Sequence, residues 1–253
     1  MENLFSLEGK YIAVTGGTRG IGKAISTRLA LGGASVLANY VRDVNAAKEL
    51  ETLAGDQGIS IELCRADITT RKGQDRLMTA IEKSGKKVSS FVHCAATGVH
   101  RPIDELTTRH FDWTFSLNVR AFFQLVIRLI PKFSNPASIV AISSSGAVRA
   151  ARTYSLVGAT KGALESLSRH LALELAPKGV RVNILSPGAV LTDSWEALPD
   201  RENRLSERIR RSPLGRLTTP EEVAWAAQFL CSDASCGING HTLVVDNGER
   251  IVE

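Results

Sequence analysis

Seven short apolar runs recur along the chain: "YIAVTG", "ASVLANY", "SIELCRAD", "SSFVHCAA", "SIVAISS", "VRVNILSPG" and "HTLVVDNG". Their continuity is the strongest constraint on the fold. A strand with one face in water alternates apolar and polar residues, whereas an unbroken apolar strand must be covered on both faces. The stretches between them, such as "GKAISTRLALGG", "DVNAAKELETLAG" and "GQDRLMTAIEKSG", have helical apolar spacing and mostly end at glycine, a helix-stop residue. Strand–helix alternation of this kind predicts an α/β fold, a doubly wound parallel sheet flanked by helices on both faces. No linker, internal repeat or low-complexity segment interrupts the pattern, so residues 1–253 are expected to form one domain.

Two excursions are longer than connections need to be: "TGVHRPIDELTTRHFDWTFSLNV" after the fourth run and "GAVLTDSWEALPDRENRLSERIRRSPLGRLTTPEEV" after the sixth. Both leave the carboxyl ends of strands, where open α/β sheets bind ligands. The second, around 189–219, is the expected substrate lid.

Composition narrows the class. The chain is 43% apolar with charges interspersed, and no apolar run approaches the length of a membrane helix. The start, "MENLFSLEGKYIAV", lacks the basic opening and apolar centre of a signal peptide, so the expected location is cytoplasmic. Cys64, Cys94, Cys231 and Cys236 are too scattered for a disulfide framework, and neither they nor the five histidines have metal-ligand spacing. Aromatic residues are sparse and no nucleic-acid module is present. The formal charge of +5 is modest, yet "RENRLSERIRR" holds five arginines in eleven residues: either a solvated helix face or a positive rim that attracts an acidic partner.

"VTGGTRGIGKAI" follows the first strand and opens a helix, with glycines in the pattern TGxxxGxG at Gly16, Gly20 and Gly22. Glycine allows a tight turn and close backbone approach to a pyrophosphate, whose charge the helix N-terminus stabilises. In its strand–turn–helix setting this is a Rossmann dinucleotide loop, formed by Gly16, Thr18, Arg19, Gly20, Ile21 and Gly22. An acid at the end of the second strand would select NAD; that place holds Asn39, with Arg42 close behind and Arg19 in the loop. Two guanidinium groups suit the 2′-phosphate of NADPH, unless both face solvent or Asp43 takes Arg42.

These elements, with "AD" at Asp67, "SLNV" with Asn118, "ISSS", Lys161 and "NILSPGAVLTD", stand in the order of the short-chain dehydrogenases/reductases, which the chain resembles from end to end. The resemblance implies that Asp67 and Ile68 contact adenine, that Ala95 packs near the adenosine, and that Pro187, Gly188, Val190 and Thr192 contact the nicotinamide end. It implies further that Asn118 holds a helix kink and a water near the lysine, and that Lys161 hydrogen-bonds the cofactor ribose. Departures are "HCAA" at residues 93–96, where "NNAG" is usual, and "DNG" at Asp246–Gly248 for "DGG".

The main departure lies in "TYSLVGATK". The family's common tyrosine place is Val157, and the only phenol near the lysine is Tyr154, six residues intervening. Seven helical residues turn through about 700° and rise about 10.5 Å, so in a continuous helix Tyr154 and Lys161 share a face, with the phenol about 4.5 Å beyond its common place. Ketone reduction puts hydride on the carbon that bears the oxygen. In an enoyl thioester hydride lands on the β-carbon while charge gathers on an oxygen two carbons away, so a displaced phenol suits the enolate. The pattern resembles the type III NADPH-dependent enoyl-acyl-carrier-protein reductases. That resemblance implies catalytic roles for Tyr154 and Lys161, whose charge would lower the phenol's pKa. Ser144 either holds the substrate oxygen or positions the loop. The alternatives are a carbonyl reductase of the same family, a non-catalytic NADP-binding scaffold, and, for Tyr154 alone, a helix-start residue packed on a loop. An enoyl reductase implies an acyl thioester on an acidic carrier protein, docking at Arg201, Arg204, Arg208, Arg210 and Arg211; the family also implies a homo-oligomer, tetramer or dimer.

Overall fold

The computed structural model describes residues 3–192 and 201–252. Seven parallel strands form one sheet: β1 Tyr11–Thr15, β2 Ser35–Tyr40, β3 Ile61–Arg65, β4 Val88–His93, β5 Phe133–Ile142, β6 Val180–Pro187 and β7 Thr242–Val245. Their spatial order is β3-β2-β1-β4-β5-β6-β7. Successive strand residues enter opposite cores, which explains the unbroken apolar runs. Tyr11, Ala13, Phe91 and Ile139 face one cluster, closed by Leu77, Phe122 and Leu164. Ile12, Val14, Val92 and Val140 face the other, closed by Ile25, Leu29 and Val223.

The helices start and stop for local reasons. α2 (Val44–Gln57) is capped by Asp43, whose carboxylate accepts from the Ala46 N–H, and ends at Gly58 in the left-handed region. Thr70 caps α3 (Arg71–Lys83), and Thr219 with Glu222 forms a capping box on α8 (Pro220–Cys231). α1 (Gly20–Leu31) differs: its N-cap residue, Arg19, makes no side-chain cap and no acid lies in the first turn. The remaining helices are α4 (Thr108–Phe115), α5 (Phe122–Leu129), α6 (Ser155–Leu175) and α7 (Arg201–Arg211), with a π-helical segment, Ser116–Ala121, joining α4 to α5.

The chain runs outward from β1 to β3, then returns to place β4 on the other side of β1. Strand order reverses there, and a crevice opens at the carboxyl ends of β1 and β4. Of the expected lid at 189–219, residues 193–200 lie outside the described residues. Among the described residues no helix is long and apolar enough to cross a membrane.

Candidate active site

The crevice is floored by glycine contacts. Gly16 has a φ of +64°, and a Cβ there would lie 2.9 Å from the Ala95 Cα. A Cβ on Gly22 would drive into the Gly16 carbonyl, and one on Gly17 would stand 2.7 Å from the Ser26 hydroxyl. Glycine is thus required where the β1 loop, the start of α1 and the segment after β4 converge. The uncapped N-terminus of α1 leaves backbone N–H groups free for an anion. Loop, helix end and crevice fit a dinucleotide pyrophosphate. Gly20 faces Thr192, the nearest approach to a Cβ being 3.4 Å, so the glycine loop meets the segment after β6. Thr18 is buried, Ile21 packs on the second core, and Val190 is buried and bridged to Thr218. Pro187 ends β6, and Gly188 follows, where a Cβ would stand 2.8 Å from the Asp246 Cβ.

At the adenosine end, the side chains of Asn39 and Ile68 are turned inward. Asn39 is 1% exposed and its amide donates to the carbonyls of Cys64 and Ala66, at 3.1 and 2.8 Å. It stitches β2 to β3 and its carbonyl accepts from the Gly17 N–H, supporting the loop without presenting its side chain to a ribose. Ile68 is fully buried in the core, so it has only backbone to offer adenine. Asp67 remains exposed, with one carboxylate oxygen accepting from the Thr69 N–H and hydroxyl. Arg19 and Arg42 are exposed, and among the described residues neither is in an ion pair. Asp43 does not take Arg42, because it is used as the α2 cap.

At the other end of the crevice, α6 begins at Ser155, one residue after Tyr154. The expected continuous helix therefore stops short of the phenol. Thr153 has a φ of 61°, and the Tyr154 N–H closes a turn onto the Ala151 carbonyl at 3.3 Å, so the chain enters the helix through a sharp bend. Tyr154 is the cap residue, its ring laid across Gly146 where a Cβ would collide with it. Its hydroxyl lies 3.1 Å from Ser144 Oγ, which also accepts from the Gly146 N–H. The His100 ring stands 5.4 Å from the Tyr154 ring at 48°. Val157 occupies the usual phenol place; it is buried, and Gly98 packs so closely on it that any side chain there would clash.

Lys161 is buried one turn further along α6, and its ammonium donates to the Ile142 carbonyl at 2.7 Å. Burial pulls its pKa down to about 8, opposed by Cys94 and Glu165. Tyr154 is shifted the other way: burial raises the phenol, while the Ser144 hydrogen bond and then Arg208 lower it. Asn118 sits in the π-helical segment, which is the expected kink. Its side chain accepts from the Thr97 N–H and donates to the Thr97 carbonyl and to Thr160 Oγ1, each at 2.9 Å. The amide ties the loop after β4 to α6 beside Lys161.

The arginine cluster on α7 divides. Arg201 and Arg210 are exposed, but Arg208 turns inward to an ion pair with buried Glu249, and Arg211 faces Glu207 at 4.0 Å. Arg208 thus has an acidic partner within the chain and is only half-buried; the Arg204 side chain lies outside the described residues. Sequence reasoning missed Gly98, Gly146, His100 and Thr160. Glycine in "TGVH" and "SSSGAV" was the available signal for the first two.

Known proteins resemble this chain in sequence and in fold. Residues 16–249 match the family model described as Enoyl-(Acyl carrier protein) reductase. The chain is 34% identical over 245 residues to 1-cyclohexenylcarbonyl-CoA reductase of Streptomyces collinus, covering 94% of this chain and 86% of that protein. It is 34% identical over 253 residues to 7alpha-hydroxysteroid dehydrogenase of Escherichia coli K12, covering 96% and 94%. Among solved structures it superposes with a TM-score of 0.90, at 32% identity and 98% and 100% coverage, on a proposed NAD(P)-dependent gluconate 5-dehydrogenase from Beutenbergia cavernae, which holds NADP. A proposed gluconate dehydrogenase from Agrobacterium tumefaciens gives a TM-score of 0.92 at 28% identity, with both chains fully covered at 100%. The chain belongs to the short-chain dehydrogenase/reductase family of NAD(P)-dependent oxidoreductases.

Proposed function

We propose that this oxidoreductase uses NADPH to reduce the carbon–carbon double bond of a trans-2-enoyl thioester. The observation that carries the reading is the displaced phenol: Val157 fills the common position under Gly98, while Tyr154 caps α6 on Ser144. NADPH, when bound, supplies the hydride, which adds to the β-carbon. The residues present do the rest. Arg19 and Arg42 hold the 2′-phosphate, the α1 N-terminus holds the pyrophosphate, and Lys161 holds the ribose. Tyr154 donates a hydrogen bond from its hydroxyl to the thioester carbonyl oxygen, where negative charge accumulates as the β-carbon is attacked, and the resulting enolate then takes a proton from solvent at the α-carbon. Ser144, within hydrogen-bond distance of that hydroxyl, orients it.

A second reading has its own support. Ser144 and Tyr154, 3.1 Å apart, form a pair that a ketone oxygen can bridge, and the 7alpha-hydroxysteroid dehydrogenase relative works on a hydroxyl carbon. The exposed Arg201 and Arg210 on α7 suit an acidic carrier protein as the bearer of the acyl chain.

One assay separates these readings: NADPH consumption with trans-2-enoyl and 3-oxoacyl thioesters, each on coenzyme A and on carrier protein. The proposal expects turnover of the enoyl compounds, with lower KM for the carrier-bound form at low salt. Turnover of the 3-oxoacyl compounds alone would overturn it in favour of a carbonyl reductase.

A further inference from the structure

The segment after β7 is fastened to three separate parts of the molecule. Asp246 shapes it first: its carboxylate accepts from the Gly248 N–H at 3.0 Å and the Arg250 N–H at 2.9 Å, closing a helical turn over Glu249–Ile251. From that turn Arg250 donates to Ser186 Oγ, near the end of β6, at 3.1 Å. Glu249 reaches α7 instead. Among the described residues its ion-pair partner is Arg208, and its second carboxylate oxygen lies 3.3 Å from where a Cβ on Gly188 would stand. A carboxylate removed from water needs such a partner. The Glu249 side chain is 8% exposed and that of Arg208 32%, so the pair is anchored from the inside and the helix reaches in to it. Just beyond α7, Ser212 adds a bond to the Asn247 carbonyl at 3.4 Å.

Arg149 holds the same turn from the third side. Its guanidinium donates to the carbonyls of Glu249 at 3.2 Å, Val252 at 3.3 Å and Arg250. Carbonyls at the end of a helical turn lack intrahelical partners, and the guanidinium fork can serve several of them. Arg149 stands midway along the loop between Ser144 and Tyr154, five residues from each. Its own N–H donates to the Ser145 carbonyl at 3.0 Å, which folds it onto the turn beside Ser144. A continuous series of contacts therefore runs from α7 through Glu249 to the loop that holds the Ser144–Tyr154 pair.

From these contacts we infer that Glu249 and Arg149 are positioning residues: the first latches α7, and the second carries that docking to the loop of Ser144 and Tyr154. The catalytic meaning rests on the proposed role of Tyr154; the latch does not.

α7 reports on its own release, because trypsin cleaves after arginine and the helix carries Arg210 and Arg211 beside Arg208. Cleavage requires the helix to come loose, so its rate follows the population of the released form. Glu249→Gln keeps the shape and removes the charge. In the full-length protein it is expected to speed cleavage after Arg210 and Arg211 at least about tenfold, with cleavage after the exposed Arg76 of α3 unchanged. Arg149→Gln is expected to give a smaller rise, about threefold. Because both act along one series, the double variant should be cleaved no faster than Glu249→Gln alone. Arg208→Lys keeps the charge without the planar fork; it should give a modest rise and carries the test by itself if the glutamine variant does not fold.

An unchanged rate, or an equal rise after Arg76, would overturn the latch. No rise in Arg149→Gln, or rises that multiply in the double variant, would overturn the link to the loop. With a thioester that is turned over, both single variants are expected to lower kcat about tenfold at unchanged NADPH affinity, and an undiminished kcat would overturn the positioning role. Digestion needs no substrate, so a protein inactive on every thioester would sink the proposed function and leave the latch to be judged by cleavage.

Discussion

On the proposed reading, Val157 and Tyr154 share out a role that one tyrosine commonly fills: the valine keeps the packing and the tyrosine keeps the proton. His93 shows a similar exchange, since an imidazole stands where the family commonly has an asparagine. It is buried against Phe122, its Nδ1 3.0 Å from Thr15 Oγ1, and held neutral with a pKa of about 3. The linkage follows from the sign of that shift. Above the ordinary value near 6.5 both folded and unfolded chains carry neutral histidine. As pH falls through 6.5 toward 3 only the unfolded chain takes the proton, so stability is lost. Between pH 7 and pH 5 this loss amounts to about 2 kcal/mol, and His93→Asn is expected to remove it. Urea unfolding at the two pH values measures it; equal acid sensitivity in both proteins would refute the account. The substitution of His93 was visible in the sequence, but its consequence was not, because it depends on the aromatic and lysine neighbours brought by other elements. Asn39 makes the same point. Its place near the end of β2 was legible, whereas the turning of its amide to the β3 carbonyls was not.

At the scale of elements, periodicity and glycine placement carried most of the fold. All seven apolar runs became strands, and the three stretches ending at glycine became α1, α2 and α3. The start of α6 was less legible, because the residues that bend the chain there, Thr153 at positive φ and Gly146 beneath the ring, are separated in sequence. The turn carrying Gly146 packs on the first turn of α6, and the Gly146 carbonyl lies so near Gly158 that a Cβ there would stand at 2.8 Å. This packing aims the phenol. Gly146→Ala is therefore expected to push the Tyr154 ring aside and lower kcat by about tenfold to a hundredfold, the scale of a misplaced catalytic group, with NADPH affinity nearly unchanged. Steady-state kinetics beside cofactor titration checks this; equal losses in both would mean general disruption.

For the molecule as a whole, the strand order places the glycine loop and the α6 N-terminus at the same carboxyl end of the sheet, one for the cofactor and one bearing the proposed acid. That meeting was legible because parallel sheets bind at this edge whatever the details. The division of the arginine cluster was not: charge spacing on α7 gave no sign that Arg208 would turn to Glu249, some forty residues away in sequence. Substrate identity depends on the same long-range contacts around one hydroxyl. The most direct measurement is kcat for reduction of a trans-2-enoyl thioester by Tyr154→Phe at saturating NADPH. A fall of at least about a hundredfold with unchanged cofactor binding is the result expected here. Full-speed saturation of the double bond without that hydroxyl would contradict it.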